Sequence, residues 1–175
     1  MSHSGTRRVI QAWSDLPEAH RIPSRASLDP TALSDLLPQI FMAEQTETGL
    51  GFRLAGAWME RLFGGSLRGV HWLPLWERAS RLDAHRAVTR AFRECRPMIV
   101  AAEMGETDEP VEIVLCPLRG PSGAADRILG LIQPLSLKAV GLKDVSELRL
   151  IDVEAACAPG RVPLSLAALD GRLIA

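Results

Sequence analysis

The chain has 175 residues, 47% of them hydrophobic and 23% charged, with a formal net charge of −1. That length buries a core without disulfides or metals, and the near-neutral charge gives no global field to draw the protein to nucleic acid or an anionic membrane. No apolar run approaches the roughly 18 residues of a membrane span, and none of signal-peptide length follows Arg7 and Arg8, so no membrane span and a cytoplasmic location are expected.

Residues 7–20 predict a short helix with Val9, Ile10, Trp13 and Leu16 near one face, and Pro17 argues against a long one. The proline- and serine-rich segment 21–30 reads as an ordered loop. Asp29 then caps a helix with Pro30 in its first turn; it carries Leu33, Leu36 and Leu37 and stops before Pro38. Residues 39–46 and 52–56 form an antiparallel hairpin around TGLG, with Ile40, Met42, Phe52 and Leu54 on one inward face by period-two alternation. AWMERLFGG is a short helix closed by Gly64, and residues 66–76 are irregular, cut by Gly69 and Pro74.

Residues 78–96 are the clearest helix. Ala84, Val88, Ala91, Phe92 and Cys95 form its apolar stripe, Arg86, Arg90 and Arg93 lie opposite, and Pro97 ends it. Three strands follow, at 98–104, 111–118 and 127–135, the first two joined by an acidic turn. Beyond 136 the pattern weakens, and 145–153 reads as a strand or a short helix. The order predicts an α+β fold: a five-stranded antiparallel sheet covered by short helices and one long connecting helix. Residues 1–35 form an N-terminal helical extension, 36–136 the core, and 137–175 a C-terminal extension of unassigned structure.

RIPSRASLDPTALSDLLPQIFMAE, followed by FRLAG and a glycine-bounded SLRG, resembles a stand-alone PAS subfamily common in alphaproteobacteria. Those proteins carry a proline–arginine–aspartate–proline segment, a leucine-rich helix ending in Leu-Pro, and an Arg-Leu-Ala-Gly strand end. The resemblance covers about residues 13–136. It implies the PAS fold, a sensory and regulatory role, a pocket between the helices and the inner sheet face, and surfaces for dimerisation or partner binding. No output domain fits in the remaining residues, so the expected module is a homo-oligomer that acts on an unidentified signalling protein. The helix around Trp13 would be a dimer or partner surface. Flavin photosensors of this fold carry an Asn-Cys-Arg-Phe-type motif before the long helix; it is absent here, and a flavin adduct is not expected.

If the pocket is open, Trp58, Phe63, Trp72 and Trp76 line it, and Arg53 and His71 orient a ligand. The competing and favoured reading has these tryptophans filling a core built from short helices. Haem-binding PAS sensors place an axial histidine on the long helix, which makes His85 a candidate, but its place at the edge of the stripe fits a half-exposed surface residue. No cofactor and no metal are expected. Arg25 either pairs with a carboxylate of its own domain, pinning the N-terminal helices to the sheet, or grips an anionic ligand with its planar fork.

The arginine stripe is a candidate nucleic-acid patch, yet no aromatic is interleaved for base stacking. Glu103, Glu106, Asp108, Glu109 and Glu112 crowd the hairpin behind it, where they would stay ionised and solvated. No nucleic-acid partner is expected. Cys95, Cys116 and Cys157 match no zinc or redox spacing and are expected as reduced, mostly buried thiols. Without G-x-S-x-G, H-E-x-x-H or a P-loop, and with Cys116 a nucleophile only beside a histidine, an enzyme is not expected. The alternative is a small ligand carrier or enzyme using the tryptophan-lined cavity, which a metabolite would stabilise by mass action.

Overall fold

The structure is a computed structural model describing residues 2–156 together with two short strands, Ala168–Leu169 and Arg172–Leu173. Helix α1, Ser4–Ser14, starts earlier than expected because His3 caps it, Nδ1 accepting the Gly5 N–H at 3.2 Å. It ends before Pro17, leaving Leu16 outside. The segment Pro30–Gln39 is capped by Asp29, which accepts from Thr31 N at 2.9 Å. The expected helix is present as 3-10 turns, broken at Leu33 (φ −120°) and running through Pro38 instead of stopping before it. Pro30 and Pro38 bracket too few residues for a regular helix to propagate.

The sheet contains β1 (Ile40–Thr46), β2 (Gly49–Ala55), β3 (Met98–Met104), β4 (Glu109–Arg119), β5 (Ala125–Pro134) and β6 (Leu148–Ala155). All are antiparallel, in the order β2-β1-β5-β4-β3-β6. The expected five strands become six because 148–155 pairs with β3. The register skips Ile151: Leu150 stands opposite Ala102 and Asp152 opposite Ala101. That bulge breaks the strict alternation by which a strand is recognised.

A second bulge corrects the expected face of the first hairpin. Met42 faces Leu54 and Ala43 faces Phe52, so Arg53 is the extra residue. Phe52 and Leu54 therefore lie on opposite faces. Phe41, Ala43 and Phe52 enter the inner core; Ile40 and Met42 join the outer one.

Helix α2 (Ala57–Leu62), the irregular stretch after it and helix α3 (Arg81–Arg93) cover the inner face. The buried stripe of α3 is Ala84, Ala87, Val88 and Ala91, and the small side chains let the helix lie close to β3 and β4. Phe92 packs half-buried against the same core, whereas Cys95 does not continue the stripe: it adopts a left-handed conformation (φ 50°) just past the helix. On the other face α1 and residues 25–39 cover β4, β5 and β1. Gly130 stands where the Phe41 ring crosses β5, and a Cβ there would run into that ring. The outer edge of β2 is closed by residues 69–72: Phe52 N donates to Val70 O at 2.9 Å and Trp72 N to Leu50 O at 2.8 Å. A short helix, α4 (Leu137–Gly141), precedes β6.

Candidate functional site

Around Trp72 the space between the helices and the inner sheet face is occupied by side chains. Trp72 stacks on Phe41 at 5.8 Å and meets Trp76 edge-on at 5.2 Å; Phe41 and Phe52 pack at 5.2 Å. Trp58 belongs to the same cluster, its indole N–H donating to Val140 O at 2.9 Å, and Phe63 packs against it half-buried. Arg53 and His71 do not converge on these rings. The Arg53 side chain is 64% exposed and pairs with Glu44 at 3.2 Å, a consequence of its place on the bulge. His71 is exposed on the segment that closes the β2 edge, where Trp72 points inward.

His85 sits on the solvent side of α3, next to buried Ala84 and away from the interior where an axial ligand would be needed. Arg86 pairs with Asp83 at 3.1 Å, and Arg90 and Arg93 share Glu94 at 3.0 and 3.5 Å, so all three positions of the arginine stripe have acidic neighbours. The acidic hairpin is likewise tied down: Arg149 bonds both Glu103 and Asp108, and Lys138 reaches Glu109 at 2.7 Å, holding that carboxyl below its usual range. Cys116 lies wholly inside the outer core, and burial pushes its thiol far up, away from the nucleophilic thiolate. Cys95 is half-buried and Cys157 falls outside the described residues. No cluster of three or more potential metal ligands occurs among the described residues.

An apolar opening lies on the outer face. Residues 25–37 leave a groove of about 230 Å³ against the sheet. Leu28, Leu33 and Leu37 form its walls and Met42, Leu54 and Leu129 its floor, with Arg25 the one charged residue of the lining among the described residues. Leu37 and Leu54 remain 44% and 48% exposed. The groove is held by contacts between the segments that carried the family resemblance. Gly56 N donates to Ile40 O at 2.8 Å, and a Cβ on Gly56 would run into the backbone of Leu37 and Pro38. The Leu-Pro turn and the Arg-Leu-Ala-Gly strand end thus lock together because one residue has no side chain.

Arg25 is not the expected pin. It is exposed and has no carboxylate partner among the described residues. Arg8 does the pinning with a two-pronged contact to Asp35 (2.5 and 2.8 Å), joining α1 to the 30–39 segment. Arg119 pairs with Glu18. Sequence reasoning missed Leu37 and Leu54 as surface residues; the Arg53 bulge, which turns Leu54 outward, leaves no mark on a single sequence.

The family model for the PAS domain matches residues 1–133, and the chain belongs to the PAS domain family. The strand order β2-β1-β5-β4-β3 and the connecting helix α3 lie on that fold; α4 and β6 follow the matched region. No curated protein matches the chain. Among the described residues no helix is long and apolar enough to cross a membrane.

Proposed function

We propose that this protein is a regulatory PAS module that works through its surface, by binding a signalling protein, and does not hold a ligand in its interior. The observation that carries this is the filled inner face, where Phe41, Phe52, Trp72 and Trp76 take the space a sensor would give to a ligand. Apolar surface outside supports it. Leu137 on α4 is 93% exposed, with Leu135 and Val140 exposed nearby, and burying such a patch favours association. The proposed form is a homodimer in a bacterial cytoplasm, consistent with the resemblance to stand-alone bacterial PAS proteins.

Native mass spectrometry with an absorption spectrum, on the chain and on Leu137→Asp, tests this reading. It expects a dimer or a protein complex that the variant loses without a change in Tm. A monomer carrying a haem or flavin band would overturn it.

A further inference from the structure

We propose that the outer-face groove binds a single-tailed carboxylate, its apolar chain over Met42, Leu54 and Leu129 and its headgroup on Arg25. The proposal stands whether or not a protein docks at α4.

The groove is one-ended. The covering segment begins beside β4, where Ser24 bridges Arg119, and leaves into β1 at Ile40. Arg119 stands opposite Ala125 of β5, and Ile40 opposite Leu131. Arg25 follows the Ser24 bridge and Leu37 precedes the entry into β1, so the two stand toward opposite ends of the lining. The lining between them is apolar.

Charge at the polar end selects the headgroup. Glu44 is already engaged by Arg127 and by Arg53, and the Arg127 hydrogen bond holds its carboxyl below the ordinary range. The Asp29 carboxylate is held by the Thr31 amide and hydroxyl at 2.9 and 2.7 Å. Among the described residues Arg25 is left without an acid, and no carboxylate lines the groove. A guanidinium beside apolar surface, with no side-chain partner among the described residues, fits a carboxylate by charge and by its two-pronged geometry. A cationic head would meet like charge, and a neutral one would gain only the apolar contact. An extended peptide has no route by strand addition here, because residues 69–72 already occupy the β2 edge.

The test is methyl NMR on the whole chain, titrated with decanoate, decanol and decyltrimethylammonium below their aggregation thresholds. Decanoate is expected to shift the Leu37, Leu54 and Met42 methyls saturably. It should bind about three- to tenfold tighter than decanol, the range of a partly exposed charged hydrogen bond, with the ammonium weakest. Arg25→Glu should erase the preference for decanoate, and Leu54→Asp should weaken all three. Both residues are exposed, so the variants keep the fold, as the unshifted methyls of Leu62 and Met59 would report. Equal affinity for the three headgroups, no saturable shift at the groove, or shifts at Leu62 and Met59 would overturn the proposal. So would saturation by an acidic amphipathic peptide alone, which would assign the groove to a protein segment.

Discussion

The two faces of one sheet are closed by different means. On the inner face the large rings of Trp72, Trp76, Phe41 and Phe52 interlock, and the alanines of α3 let the helix settle against β3 and β4. On the outer face α1 packs well, with the Trp13 indole N–H donating to Pro117 O at 2.7 Å, but the proline-bounded 3-10 segment beside it leaves Leu54 with half its surface in water. A short kinked segment cannot offer the continuous apolar stripe of a regular helix, so the floor beneath it stays partly open. The aromatic interior is closely packed, while the outer face keeps an apolar groove.

The largest effect expected from that contrast is on the inner face. Trp72→Ala should cost about 3–5 kcal/mol in urea unfolding, the range for deleting a buried large aromatic. A loss under about 1 kcal/mol would mean that the interior has slack, and the contrast would break. Next comes Trp13→Phe, which keeps most of the ring but leaves a buried carbonyl without its donor. A loss of about 1–2 kcal/mol is expected, locating the tight part of the outer face under α1.

A smaller effect should come with acid. Asp29 and Asp35 are held below the ordinary carboxylate range by Thr31 and Arg8 respectively. Carboxyls with lowered folded pKa contribute stability above their unfolded pKa and lose it as pH falls through the folded value. Tm should therefore drop below about pH 4, and Asp35→Asn should shrink that drop. An identical acid profile in the variant would show that the Arg8–Asp35 contact does not hold the cover. The smallest effect is Leu54→Ser, expected within about 0.5 kcal/mol of the parent in the same urea assay because Leu54 faces water. A clearly larger loss would show the groove to be collapsed and packed in solution.

Much of the sheet could be read from the chain because its cues are local. MIVAAEM is a strand at 98–104, and the long helix stands between Ser80 and Pro97. Two extra residues in strands, Arg53 and Ile151, shift the side-chain parity; the first misplaced Leu54 and the second hid β6. The tryptophans at 72 and 76 drew attention as large aromatics, yet their sequence does not say whether other rings fill the space between them. The groove is a different case. Residues 25–42 supply most of it in one continuous stretch, which lies within the segment that carries the family resemblance. That Arg25 has no carboxylate partner among the described residues, and that Gly56 admits the Leu37–Pro38 backbone, are facts of tertiary approach.

The most direct test of the contrast is methyl NMR under xenon pressure, since xenon enters apolar space that side chains leave empty. The account predicts saturable shifts at the Leu37, Leu54 and Met42 methyls and none at Met59 and Leu62. Shifts at the interior methyls with a silent groove would contradict it.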